Sequence, residues 1–252
     1  MCVLFVALGV HPGHALVLAG NRDEAHARPT AGLARWPDAP HVAAGRDLTA
    51  GGTWLGASDG GRWATVTNVR DPASVRENAR SRGALVADFL RGTDTPEAYA
   101  ARVQADCGAY NGFNLLVGQG SEAWLASTRR DAAVRLAPGL HGLSNDTLDT
   151  PWPKVVRGRA AFAAVTRSER LGPSDLLAFL RDETPAPDAD LPETGVGLAL
   201  ERVLSPLFIR GVYYGTRAST ALTVSTAGAV RIAEQAWGPD GAPGAFADLS
   251  AG

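Results

Sequence analysis

The sequence predicts an α+β fold, a four-layer αββα sandwich in which two antiparallel sheets pack together with helices outside. Strand and helix patterns come in blocks, in the order strands, two helices, strands, two helices, strands. Short turn-forming segments separate the strands, which favours antiparallel hairpins. Neither a repeat nor a change in composition marks a boundary, so we expect residues 1–252 to form a single domain.

The composition is typical of a soluble globular protein. Hydrophobic residues make up 45% of the chain and charged residues 20%, and the net charge is −2. Because acids and bases are spread along the chain, we expect no nucleic-acid partner and no polybasic membrane patch. No apolar run reaches the roughly 20 residues that span a bilayer. Cys2 and Cys107 are the only cysteines, and without a CxxC or His/Cys cluster neither a disulfide framework nor a metal site is expected.

The apolar start of the chain is predicted to be a strand and not a signal peptide. No Lys or Arg precedes it, His11 and Pro12 interrupt it, and no small-residue cleavage site follows. We therefore expect a cytoplasmic protein. Residues 2–10 and 15–19 form the predicted first hairpin, which turns at His11-Pro12-Gly13.

The next segment, residues 28–50, holds several prolines and glycines and little periodicity, which predicts a loop. A second hairpin is predicted for residues 54–57 and 62–68. Ser81 is the expected cap of a helix that runs to Leu90.

A second helix is expected from Thr95 to Cys107, because Thr95-Pro96-Glu97 is a typical helix start. Its apolar spacing places Cys107 in the core, as a small buried residue. Further strands are predicted at residues 113–117, 123–127, 133–136 and 140–143. Helices follow from Trp152 to about Arg167 and from a cap at Ser174 to about Arg181, then a surface loop at 183–194 and a last hairpin at 218–224 and 230–236.

The first hairpin brings an Arg-Asp pair back to the cysteine behind the initiator Met. With the turn near Pro12-Gly13, paired residues have numbers that sum to about 25, so Cys2 is predicted to lie opposite Asp23, with Asn21 and Arg22 alongside. A shift of one residue changes which side chains share a face. The thiol, the guanidinium and the carboxylate are therefore expected at one end of a sheet.

These groups suit an N-terminal nucleophile. Removal of Met1 leaves Cys2 with a free α-amine, whose intrinsic pKa of about 7.7–8.0 lets it take the proton of its own thiol. A neighbouring Arg favours the thiolate, and an Asp orients the ammonium. The alternative, in which Cys2 is a small core residue and NRDE a solvated loop, stays open on this hairpin alone.

Polar residues at three other strand ends are candidates for the same site. Asn68 ends the second hairpin, and Asn145 follows a predicted strand; amides of this kind donate to an oxyanion without a competing charge. Arg217 precedes the last hairpin and is a candidate second cation. Turn formation for the two Asn residues, and a surface or ion-pair role for Arg217, are the structural alternatives.

Ten motifs together resemble one known family. They are MCVLF, LAGNRDE, AGRDLTAGGTWLG, TNVRDP, SRGALVADFL, YNGFNLLVG, GLSNDTLDTPWPKV, TGVG, LSPLFIRG and YGTRASTAL. From Cys2 to about Trp237 the chain resembles the NRDE family, also called the transport and Golgi organization protein 2 family. That family is in turn similar to cysteine N-terminal nucleophile (Ntn) hydrolases such as penicillin V acylase and bile salt hydrolase.

The resemblance implies an Ntn-hydrolase-like αββα sandwich with a set of site residues on it. These are Cys2 as nucleophile with Arg22, Asp23, Asn145 and Arg217, and Asn68 as a further candidate. One departure concerns the adjacent Arg22 and Asp23, since the acylases separate their Arg and Asp. Neighbouring strand residues point to opposite faces, so either the strand breaks at NRDE, or Asn21 and Asp23 face inward and Arg22 faces elsewhere.

Two functions follow as hypotheses. The first is hydrolysis of a non-peptide amide bond in a small-molecule substrate, without a cofactor, with Asn21, Asn68 and Trp54 as substrate-binding residues. The second is a binding or trafficking protein in which the same cleft holds haem or an acyl lipid, with Trp54, Trp63, Phe113 and Trp124 lining an apolar pocket. The sequence leaves the substrate and a homo-oligomeric state open.

Overall fold

The computed structural model describes residues 2–251, which form two antiparallel sheets and five α-helices. The strands are β1 (Cys2–His11), β2 (His14–Ala25), β3 (Thr30–Trp36), β4 (Ala39–Asp47), β5 (Leu55–Ser58), β6 (Arg62–Asn68), β7 (Phe113–Gln119), β8 (Glu122–Ser127), β9 (Val134–Arg135), β10 (Gly139–Leu143), β11 (Tyr214–Ser225), β12 (Val230–Trp237) and β13 (Pro243–Ala251). The helices are α1 (Arg82–Arg91), α2 (Pro96–Ala105), α3 (Pro153–Val165), α4 (Pro173–Ala178) and α5 (Leu198–Val203).

The strands are ordered β10-β1-β2-β11-β12-β13 in the first sheet and β3-β4-β5-β6-β7-β8-β9 in the second. Strand β1 shows how the layers arise, because its side chains alternate between two apolar clusters. Leu4, Val6 and Leu8 belong to the cluster between the sheets. Val3, Phe5 and Ala7 pack with Phe162 of α3 on the outer side, and α1 and α2 cover the second sheet. The predicted α+β sandwich of two antiparallel sheets is confirmed.

Local capping explains where several helices begin and end. The Thr95 hydroxyl accepts a hydrogen bond from the Ala98 N–H at 3.2 Å, and α2 starts at the next residue, Pro96. Ser81 and Gly92 flank α1 at the expected positions, but the Ser81 side chain makes no capping hydrogen bond. The predicted cap at Ser174 is wrong, because Gly172 precedes α4 and Pro173 takes its first position. None of the helices between residues 2 and 251 is long and apolar enough to cross a membrane.

The prediction of a loop at residues 28–50 is wrong. These residues contain β3 and β4, which pair at the edge of the second sheet. Register shifts between Ala31 and Ala34, and between Arg35 and Trp36, interrupt the two-residue alternation that would have revealed the strands. The sequence analysis also predicted neither α5 nor β13, and it extended the second helix too far. Cys107 lies beyond the end of α2 and is half-buried.

The first hairpin has a register one residue away from the predicted one. Cys2 pairs with Arg22, not with Asp23. The register shifts between Leu8 and His11, where Gly9 adopts a φ of +62°, a conformation that suits a glycine in a bulge. This irregularity near the turn alters the pairing along the rest of the hairpin, so Cys2 and Arg22 share a face.

Glu234 of β12 links the two sheets. Its carboxylate accepts hydrogen bonds from the Leu33 N–H of β3 at 2.9 Å and from the Thr220 hydroxyl of β11 at 3.0 Å. Burial raises the pKa of Glu234 from its ordinary 4.5 to about 7. The folded protein therefore keeps this proton at pH values at which the unfolded chain has released it.

We expect Glu234→Gln to change how stability depends on pH. The stability that Glu234 contributes is fully present below pH 4.5 and is lost as the pH rises through 7, whereas the amide does not titrate. Relative to the wild type, the variant should gain up to about 3 kcal/mol in free energy of unfolding between pH 5 and 8. Urea denaturation at several pH values measures this difference, and parallel stability curves for the two proteins would contradict the expectation.

Candidate active site

Cys2 lies in the wall of a cavity of about 430 Å³ at one end of the two sheets. The wall comes from β1, β2, the segment before β5, the end of β6 and the residues leading into α1. Its charged or polar members include Cys2, Arg22, Asp23, Glu24, Arg28, Asp47, Asn68, Glu77, Arg80 and Arg82. A half-buried thiol therefore borders a polar space.

Arg22 lies beside Cys2 and faces the second sheet. Its guanidinium stacks on the Trp54 ring at 4.6 Å and lies 3.7 Å from the Glu24 carboxylate. Its exposed fraction is 6%. Burial raises the pKa of the Cys2 thiol and Asp23 adds to the shift, while Arg22 and a backbone hydrogen bond from Asp23 oppose it. Arg22 is thus a fixed cation next to the sulfur.

Asp23 occupies the opposite face of the same strand. It is buried, and its Oδ1 accepts a hydrogen bond from the Thr216 hydroxyl at 2.8 Å. Since β2 continues to Ala25, both alternatives for NRDE were wrong: the strand does not break there, and it is Arg22 that shares the face of Cys2. Asp23 still contributes to the cavity wall, so the chain end at Cys2 has the cation on one side and the carboxylate on the other.

The sequence analysis missed Lys154, a buried residue whose charge acts on Asp23. It is the only lysine of the chain, and it is 2% exposed at the start of α3. Its Nζ donates to the Leu204 carbonyl at 3.0 Å. Burial lowers the pKa of Lys154 from 10.5 to about 8, and Asp23 is the strongest opposing influence. Burial also raises the pKa of Asp23, against which Lys154 acts most strongly. A lone lysine in an apolar helical stretch was the available signal.

The sequence analysis also missed a buried ion pair. Arg70, just after β6, forms a buried ion pair with Glu201 of α5. The same carboxylate accepts a hydrogen bond from the Thr194 N–H at 3.1 Å. Because the Arg70 N–H donates to the Asn145 carbonyl at 2.7 Å, this pair connects the 194–201 segment to two strand ends of the candidate site.

The two predicted amides occupy different places. Asn68 lines the cavity. Asn145 lies behind it, where its Nδ2 donates to the Asn68 carbonyl at 2.9 Å and its Oδ1 accepts from Ser144 at 3.2 Å. Ser144 shares this proton with the Cys2 carbonyl, which lies 3.0 Å from its hydroxyl oxygen. Asn145 therefore holds the strand ends that carry Asn68 and Cys2, and Asn68 is the amide that faces the space.

Two other predicted residues do not reach the cavity. Arg217 donates to the carbonyls of Ala25, His26 and Arg28 at 2.8–3.2 Å, and so holds the turn after β2. Asn21 points toward the helices, where its Nδ2 donates to two backbone carbonyls, each at 2.9 Å. Its Oδ1 accepts from Ser219 at 2.6 Å. The side chain of Asn21 is thus committed to packing and not to substrate.

The four aromatic residues considered for an apolar pocket lie in separate layers. Trp54 lines the cavity and belongs with Trp63 to the cluster between the sheets. Phe113 and Trp124 pack on the helix-covered face of the second sheet. Among residues 2–251, no group of three or more His, Cys, Asp or Glu side chains is placed to hold a metal ion.

Two antiparallel sheets lie between helices, and a cysteine stands at the start of the first strand. The solved structure of a Caenorhabditis elegans N-acylethanolamine-hydrolyzing acid amidase ortholog is similar to this chain, with a TM-score of 0.54. The likeness covers 88% of this chain and 92% of that one at 12% sequence identity. At this identity the likeness concerns the fold alone.

The chain belongs to the Transport and Golgi organisation 2 family, whose profile matches residues 1–239. It is 34% identical to the Bos taurus Transport and Golgi organization protein 2 homolog and 33% identical to the Homo sapiens homolog. Each alignment covers 93% of this chain and 92% of the relative. The resemblance to the NRDE family is confirmed.

We expect Glu201→Gln to lower stability because it leaves the buried Arg70 guanidinium without its carboxylate. The loss in free energy of unfolding should be about 3 kcal/mol. Asp188→Asn is the matched control, since it breaks the exposed pair with Arg202 of the same helix and should have a much smaller effect. Urea denaturation compares the two variants, and equal losses would show that Arg70 does not depend on Glu201.

Proposed function

We propose that this protein is a cysteine hydrolase that cleaves a non-peptide amide bond in a small molecule, with Cys2 as N-terminal nucleophile. The observation that carries the proposal is the position of Cys2 on the cavity wall, with Arg22 as its strand partner and Asp23 next to it. The proposal requires removal of Met1, a residue outside the described range.

The proposed reaction begins with transfer of the thiol proton to the α-amine of Cys2. The thiolate attacks the amide carbonyl, and Arg22 favours the ionised sulfur against the effect of burial. The ammonium then gives its proton to the leaving nitrogen as the C–N bond breaks. Water, deprotonated by the same amine, hydrolyses the acyl-thioester and releases the acid.

Asn68 is the proposed oxyanion donor, because it faces the cavity whereas Asn145 lies behind it. Asp23, supported by the hydroxyl of Thr216 and by the charge of Lys154, is proposed to orient the α-ammonium. In this scheme Asn145 and Arg217 are positioning residues: one holds the carbonyl of Asn68, and the other holds the turn that carries Arg28.

A binding role on the same fold is the competing proposal. The relatives are named for transport and Golgi organization. A cleft that holds haem or an acyl lipid would need no turnover at Cys2. The charged wall of the cavity favours the hydrolase, since burying a large apolar ligand against charged groups is costly.

We expect active protein to lack Met1 and Cys2→Ala to lose acylation by an amide or β-lactone probe. The variant has no sulfur with which to form the thioester. Intact-mass spectrometry measures both properties in one experiment. Cys107→Ser is the matched control and should be acylated like the wild type, because Cys107 lines a different cavity.

Full retention of Met1 in protein that turns over an amide would exclude this mechanism. Tight haem binding that survives Cys2→Ala, together with no hydrolysis of an amide library, would favour the binding role.

A further inference from the structure

The cavity in front of Cys2 offers little surface to a hydrocarbon chain. Its apolar side chains are few and mostly small: Ala50, Trp54, Val66 and Ala79. Trp54 is itself covered by the Arg22 guanidinium. A long acyl chain in this space would press against charged groups and remove their water, which is unfavourable. The wall therefore suits a polar ligand.

The arginines of the cavity wall differ in whether a carboxylate of the protein pairs with them. Of the described residues, four arginines line the cavity: Arg22, Arg28, Arg80 and Arg82. Arg28 donates twice to Asp47, at 2.9 and 2.7 Å, and Arg80 pairs with Asp106 at 2.7 Å. Arg22 lies 3.7 Å from Glu24. These three cations are neutralised by carboxylates of the protein.

Arg82 is the exception. Within residues 2–251 its guanidinium has no carboxylate within 4.0 Å, and its hydrogen bond goes to the Gly112 carbonyl at 3.0 Å through Nη1. A guanidinium carries five N–H donors in a planar fork that matches a carboxylate. Arg82 thus keeps donors and a full charge for a further acceptor.

Arg82 and Cys2 line the same cavity. Burial lowers the pKa of Arg82 from its ordinary value and Arg28 adds to that shift, while the Cys2 sulfur and the Glu24 carboxylate oppose it. Glu77 also lines the cavity, but it is exposed and forms no ion pair with Arg82. An anion held by Arg82 would lie near the carbon that Cys2 attacks.

We infer that the cavity takes an amide that carries a carboxylate close to the scissile bond, as in an N-acyl amino acid, and that Arg82 binds that carboxylate. The choice of an amide as substrate rests on the proposed function. The anion subsite rests only on the residues that line the cavity. An N-acyl amino acid has its carboxylate on the carbon next to the amide nitrogen, so one anchored anion positions the carbonyl.

Two thiol reagents of similar size test the subsite without any turnover. Iodoacetate carries a carboxylate and iodoacetamide does not, and each forms an S–C bond as iodide leaves. Peptide mass spectrometry gives the ratio of the two alkylation rates at Cys2 and at Cys107, which serves as the internal reference. We expect the iodoacetate preference to be about tenfold higher at Cys2 than at Cys107.

Arg82→Gln should bring the Cys2 ratio to within about twofold of the Cys107 ratio. Arg80→Gln, which removes a paired arginine from the same wall, should leave the Cys2 ratio close to that of the wild type. Equal ratios at both cysteines, no effect of Arg82→Gln, or a Cys2 that neither reagent modifies would each overturn the subsite.

Hydrolysis of N-butyrylglycine and of N-butyrylethanolamine separates this inference from the proposed function. We expect kcat/KM to favour the glycine amide by about tenfold or more, and Arg82→Gln to remove that preference. Hydrolysis of both amides without preference would overturn the inference. An iodoacetate preference with no hydrolysis of either amide would overturn the proposed reaction and leave the anion subsite intact.

Discussion

The antiparallel pairing of β1 with β2 is the constraint on which the site and the sandwich both depend. With Cys2 opposite Arg22, Leu4, Val6 and Leu8 fill the space between the sheets, and their neighbours face the helices. A slip of one residue would exchange the two faces and bury Cys2 against the helical layer. The irregularity near Gly9 therefore sets the core and the position of the thiol together.

Four charged residues that lie outside the apolar clusters are also buried. Asp23, Lys154, Arg70 and Glu201 are all at least nine-tenths buried, and removing such groups from water is costly. They come from β2, α3, the end of β6 and α5. Their mutual attraction connects distant parts of the chain and offsets part of the cost of burial.

The residues that line the cavity give information about function that the fold alone does not give. Many chemistries share one architecture, and function depends on the groups that face the ligand. Here those groups include a thiol, an amide and several arginines, with a single large aromatic side chain, Trp54. The fold that this chain shares with an amidase ortholog leaves the ligand open, whereas the charges on the cavity wall limit which molecules fit there.

The sequence by itself determined the fold class, most hairpins and helices, and the region of the site. Those features depend on local signals, such as the Thr95 cap and the turn at His11-Pro12-Gly13, or on the NRDE motifs. Only the tertiary structure decided the faces of Arg22 and Asp23, because a single register shift reverses them. It also decided that Asn68, not Asn145, faces the cavity, and that Arg82 lacks an ion-pair partner within residues 2–251. Such properties depend on contacts between residues far apart in the chain, which no local pattern encodes.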